Sequence, residues 1–208
     1  MHTEVISITR DLPEWEAVSH AALVIASGGI VCFPTDTVYG FAASIYSERA
    51  VANLRRIKSR GAGEPFVLIV DDAGWVSELA RRITKAHLRL MSEYWPGPVT
   101  ILFEASEAAP AYVTGGGDTI GVRVPNDTLS QCILGACGVP LAAPSANPRG
   151  KEPAVTPGEV LEMFGGKIDL LLDGGPVESA APSTIVAVRS GRVVVVREGR
   201  VPIAGKAV

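Results

Sequence analysis

Apolar residues along this chain recur at two spacings, a helical one near 3.6 and a strand-like one near two, and the switches between them outline the elements. Trp15, Val18, Ala22 and Ile25 keep helical intervals behind Asp11 and Glu14, which stand at capping-box spacing, until Gly28 and Gly29 stop them. Residues 30–33 then predict a short buried strand ending at Pro34, and residues 34–40 hold too many turn formers to extend it. Ala50, Val51, Leu54 and Ile57 predict a second amphipathic helix, followed by a Gly-rich turn and a buried strand at 66–70. Two shorter helical patterns follow, one around Trp75 and Leu79 and one over 85–94, before WPGP breaks the chain and residues 99–103 resume as strand.

Gly115, Gly116 and Gly117 lead into a strand at 120–124, Asp127 caps a helix carrying Leu129, Ile133 and Ala136, and residues 140–143 read as strand. Thr156 with Pro157 opens a helix that ends at Gly165 and Gly166. Residues 184–189 and 192–197 flank Ser190 and Gly191, a two-residue connection of the hairpin kind. The prediction is one α/β domain over residues 1–208, core about 14–203, with flanking helices on a mixed sheet of parallel and antiparallel pairs. In open α/β sheets the strand ends host ligands, so the polar loops after Phe33, Val124, Ala143 and Asp173 are where a site belongs.

Composition narrows the classes. Apolar residues make up 47% of 208 and charged residues 20%, enough to bury a core and too apolar for a disordered chain. The formal charge of −3 lacks the overall positive balance of a protein that lives on nucleic acid, though a local patch could bind RNA weakly. Cys32, Cys132 and Cys137 contain no C-x-x-C pair, which argues against a disulfide framework and a zinc site. With no signal-like start and no apolar stretch near about 20 residues, a cytoplasmic protein without a membrane span is expected.

The candidate chemistry is polar and cationic. Arg49, Arg55, Arg56, Lys58 and Arg60 form the densest positive run, a solvated helix face except at Lys58 and Arg60, which fall where the helix gives way to a turn and suit a phosphate or carboxylate. In APSANPRG, Pro144 and Pro148 stiffen a segment whose Ser145 and Asn147, two apart in extended backbone, can face one ligand. The same residues are also ordinary turn formers. Thr35, Asp36, Thr37, Tyr39, Ser183 and Thr184 offer further polar groups at strand ends. Arg123, inside an otherwise apolar strand, requires a carboxylate or an anionic ligand. Isolated His2, His20 and His87 argue against a zinc site or a Ser-His-Asp triad, and there is neither a P-loop nor a Rossmann fingerprint.

FPTDTVYG at 33–40, K-S-R at 58–60, WPGPVT at 95–100, DTIGVRVP at 118–125, APSAN at 143–147, PSTIV at 182–186 and VREG at 196–199, in this order over nearly the whole chain, resemble the YrdC/Sua5 family in its short form. The resemblance implies a twisted α/β sheet around a large, positively lined cavity. It implies a nucleotidyltransferase that makes L-threonylcarbamoyladenylate and pyrophosphate from L-threonine, bicarbonate and ATP with Mg²⁺, and downstream proteins that pass the threonylcarbamoyl group to transfer RNA. Carried onto matching positions, Lys58 and Arg60 are expected as catalytic, ATP-facing cations. Thr119, Ser145, Asn147 and Arg197 are expected to bind ATP, and Thr35, Tyr39, Arg123 and Ser183 to bind threonine. The chain departs from the family at Gly61, Ala62, Gly63 and Glu64, where a proline and a polar run are usual, and at Ile69, where many members have histidine. The alternatives are a non-catalytic RNA-binding module, a YciO-like relative of different activity, and a carbamoyl-transfer domain of the hydrogenase-maturation type.

Overall fold

Segments that read as unbroken apolar runs take the middle of one ten-stranded sheet, and the strands with polar faces take its edges, because only a central strand is covered on both sides. The computed structural model describes residues 2–178 and 181–203. The strands in chain order are β1 (Glu4–Ser7), β2 (Val31–Pro34), β3 (Tyr39–Ser44), β4 (Val67–Ile69), β5 (Val99–Glu104), β6 (Thr119–Arg123), β7 (Leu141–Ala142), β8 (Leu170–Asp173), β9 (Thr184–Arg189) and β10 (Arg192–Arg197). Their spatial order is β1-β8-β2-β3-β7-β4-β6-β5-β9-β10. The sheet is mixed, as expected: β4 runs parallel to β6 and β5 to β9, while β3 and β4 both lie antiparallel to β7.

The helices are α1 (Trp15–Ala26), α2 (Glu48–Ile57), α3 (Val76–Leu79), α4 (Lys85–Tyr94), α5 (Ala111–Thr114), α6 (Thr128–Cys137) and α7 (Pro157–Phe164). Two cores result, one on each face of the sheet. The larger gathers Phe41, Leu54, Phe66, Leu68, Phe103 and Phe164; the smaller gathers Val18, Ile25, Phe33, Ile69, Ile133 and Leu170 with α1 and α6.

β3, β1 and the start of α1 differ from the sequence reading, and α5 lies where no element was expected. β3 lies where turn formers were expected to continue: Gly40, Ala42 and Ala43 carry little strand propensity, yet the strand is buried on both faces and tertiary pairing decides. β1 is an edge strand of mostly exposed residues, held parallel to β8. The capping box at α1 does not form. Glu14 instead accepts hydrogen bonds from the Thr9 N–H and hydroxyl, Trp15 stands 68% exposed, and the buried stripe runs through Ala17, Val18, Ala21 and Ile25.

Candidate functional site

On the face shared with the smaller core, the ends of several strands leave a cavity of about 280 Å³, at the lower edge of the usual range for small-molecule sites. Thr35 comes from the β2–β3 loop, Lys58 and Arg60 from the end of α2, Arg123 from β6, Ser145 and Asn147 from the loop after β7, Ser183 from the start of β9 and Arg197 from the end of β10. The strand-end loops singled out by sequence, those after Phe33, Val124, Ala143 and Asp173, all contribute to it, the last through Pro182 and Ser183.

Lys58 closes α2 at its C-cap, and Ser59, at φ 51°, turns the chain in the left-handed region. That turn aims the lysine across the cavity. Nζ donates to Ser145 O at 2.7 Å, Asn147 O at 2.7 Å and Asn147 Oδ1 at 2.8 Å, using all three of its N–H groups. Burial, with Arg60 adding repulsion, pulls the Lys58 pKa down to about 8. Lys58 thus holds the 145–147 segment in place. Ser145 Oγ donates to Asn147 Oδ1 at 2.6 Å, and Asn147 Nδ2 donates to Lys151 O at 2.6 Å, so these side chains are committed to the loop as well as lining the cavity.

Arg60 is freer. Its guanidinium lies 5.0 Å from the Phe66 ring centre, while Arg55 lies 4.8 Å from the same ring. Arg55 donates to Gly61 O, Glu64 O and Tyr112 O, and Arg49 to Ser27 O, so two arginines of the positive run tie backbone together. Arg197 donates to Ser183 O at 2.7 Å, and Ser183 Oγ shares a hydrogen bond with Thr100 Oγ1 at 2.9 Å. Burial, then the nearby Arg60 and Arg123, lowers the Arg197 pKa. The cations are close enough to repel one another, which prepares the cavity for an anion.

Arg123 has both partners that its buried position demands. Nε donates to Gly97 O at 3.0 Å, and Nη2 makes a buried ion pair with Asp36. Asp36 N–H in turn donates to Asp127 Oδ2 at 3.1 Å, and Arg10 reaches Thr35 O, so the β2–β3 loop is braced from several sides. The Thr35 hydroxyl donates to Val38 O at 2.8 Å and fixes the turn that presents it.

Two expected site residues are placed elsewhere. Side chains alternate along β3, so Gly40 borders the cavity while Tyr39 points into the larger core and donates its phenol to Gly175 O at 2.7 Å. Thr119 lies outside the cavity wall, in a second concavity with Leu102 and Arg189. It shares a face of β6 with Arg123 by alternation, separated by Gly121, where a Cβ would meet Thr100 Cγ2 at 3.1 Å. Arg149 and Glu64 also line the cavity. The sequence reading stopped short of Arg149, although it lies in the rigid APSANPRG segment directly after Pro148. Among the described residues no group of three or more His, Cys, Asp or Glu side chains could hold a metal, so the donor set does not fit a protein-built Mg²⁺ cage.

Comparison with known proteins agrees with this architecture. The family model Sua5_yciO_yrdC, described as "Telomere recombination", matches residues 23–199. A threonylcarbamoyl-AMP synthase of Pyrococcus abyssi is 34% identical over 97% of this chain and 59% of its own length, so the chain spans about three fifths of that relative. A threonylcarbamoyl-AMP synthase of Coxiella burnetii is 34% identical over 80% of this chain and 91% of its own. Among solved structures, P. abyssi Sua5 complexed with L-threonine superposes with a TM-score of 0.90 at 34% identity, over 95% of this chain and 58% of that one. E. coli YciO superposes with a TM-score of 0.87 at 27% identity, over 95% and 96%. By the family model, by these relatives and by its fold, the chain belongs to the Sua5/YciO/YrdC family.

Proposed function

We propose that this protein is a nucleotidyltransferase that joins L-threonine, bicarbonate and ATP into threonylcarbamoyl-AMP and pyrophosphate, for the modification of transfer RNA. The observation that carries the reading is a cavity lined together by Arg60 and Arg197, near enough to repel each other, and by Thr35, Arg123 and Ser183. Two relatives named threonylcarbamoyl-AMP synthases and a solved relative complexed with L-threonine support it.

In this reading the threonine amine condenses with bicarbonate, losing water, to give a carbamate. A carbamate oxygen bonds to the α-phosphorus while the bond from that phosphorus to the bridging oxygen breaks, and pyrophosphate leaves. The carbamate and ATP are both anionic, so the chain's contribution is electrostatic: Arg60 and Arg197 offset the charge on the phosphates, and Arg123 the threonine carboxylate. Lys58 keeps the 145–147 wall in register. Mg²⁺ is proposed as a passenger on the nucleotide, offsetting phosphate charge. The product is a labile mixed anhydride, so downstream transfer proteins in the same compartment, proposed to be the cytoplasm, would consume it. No helix among the described residues is long and apolar enough to cross a membrane.

The test is pyrophosphate release from ATP with each substrate withheld in turn. Release is expected only with threonine and bicarbonate together; release indifferent to threonine would refute the reading. The RNA-binding alternative is weakened, because two of the three arginines that motivate it, Arg49 and Arg55, donate to backbone carbonyls, which leaves the exposed Arg56.

A further inference from the structure

The cavity contains a charge that the reaction above does not use. Lys58, Arg60, Arg123, Arg149 and Arg197 line it, and Glu64 is the one carboxylate among the described residues that do so. Glu64 Oε1 accepts a hydrogen bond from Arg149 Nη1 at 2.7 Å, and Oε2 lies 3.4 Å from Arg60 Nε. A carboxylate spanning two guanidinium groups at the edge of a cationic cavity has the geometry of a bound anion supplied by the chain itself. The backbone beneath it is anchored, since Arg55 donates to both Gly61 O and Glu64 O, and Gly61 N–H donates to Oε1 at 3.2 Å. That N–H, ahead of the two arginines, holds the Glu64 pKa below the ordinary carboxylate range and keeps the group ionised.

We propose that Glu64 is an internal counter-anion occupying the phosphate end of the cavity, that the incoming polyphosphate displaces it, and that Arg149, once released, becomes a further phosphate-binding residue. The inference rests on the adenylate-forming reading and deepens it. The displacement is easy. The Arg149 side chain is 67% exposed and that of Glu64 36%, and an ion pair so close to water is weak. A triphosphate brings more charge and can engage a guanidinium in bidentate fashion, so it outcompetes a single carboxylate. Only the side chain need swing, because the loop backbone stays pinned by Arg55.

Calorimetric titration of ATP and of adenosine into the wild type, Glu64→Gln and the double variant Glu64→Gln with Arg149→Met tests this. The amide of Gln retains an oxygen for Gly61 N–H, so the loop is preserved while the charge is removed. Glu64→Gln is expected to bind ATP about three- to tenfold more tightly, with adenosine unchanged, and the double variant to lose that gain. Unchanged or weaker ATP binding by Glu64→Gln, with the wild type still binding, would make Glu64 a support for Arg60 and overturn the proposal while leaving the adenylate-forming reading intact. An equal gain for adenosine, which has no phosphate, overturns it too. A wild type that neither binds ATP nor releases pyrophosphate removes that reading, and the proposal with it.

Discussion

A lysine whose every proton points at a carbonyl is a strut first and a charge second. Lys58 spans from the end of α2 to Ser145 and Asn147, and its side chain decides whether that wall keeps its shape. Its pKa near 8 brings the strut within reach of ordinary buffers. As pH rises through about 8 the amine loses a proton and can serve only two of its three acceptors, so ATP affinity should fall along an alkaline limb with that midpoint. The limb should move to higher pH in Arg60→Met, since Arg60 is the second cause of the shift; a limb indifferent to that change would argue against Lys58 as its source. Stability runs the other way. The folded pKa lies below the ordinary lysine value of 10.5, so between about 8 and 10.5 the unfolded chain binds the extra proton and this group favours the native state more as pH rises.

At the scale of elements, the site depends on where strands begin and end, and one glycine sets that for the last pair. A Cβ at Gly199 would lie 2.4 Å from Pro182 O and 2.5 Å from Thr184 N, at the start of β9, beside Ser183. Gly199→Ala must push the two strands apart at the point where Arg197 meets Ser183. It should cost about 1–3 kcal/mol in urea unfolding and weaken substrate binding together. Such close approaches explain what sequence patterns could and could not reveal. The long periodic helices α4 and α6, the buried runs of β2 and β5 and the β9–β10 hairpin follow from spacing and caps alone. β3 does not, because its small residues become strand only through its neighbours β2 and β7. Thr35, Lys58, Arg60, Arg123, Ser145, Asn147, Ser183 and Arg197 were legible as a set and do converge. That Lys58 would be saturated, or that Tyr39 would turn away, depends on side-chain direction, which the linear pattern leaves open.

Across the whole molecule a formal charge of −3 coexists with a cavity that, among the described residues, is lined by five cations and one carboxylate. The field that meets an approaching nucleotide is therefore local, and salt should weaken it over a Debye length of about 8 Å at physiological ionic strength. The KM for ATP is expected to rise steadily with added KCl while that for threonine, a zwitterion, moves little. Equal shifts of both would show that the cavity does not steer by charge. The sheet order has its own result. Arg197 and Ser183 come from the final hairpin, whereas Thr35 arrives with the second strand. During synthesis on the ribosome, the nascent polypeptide would carry a nearly finished pocket that still lacks its last wall, and it would acquire the ability to hold its substrates only when the closing hairpin emerges and docks against β5.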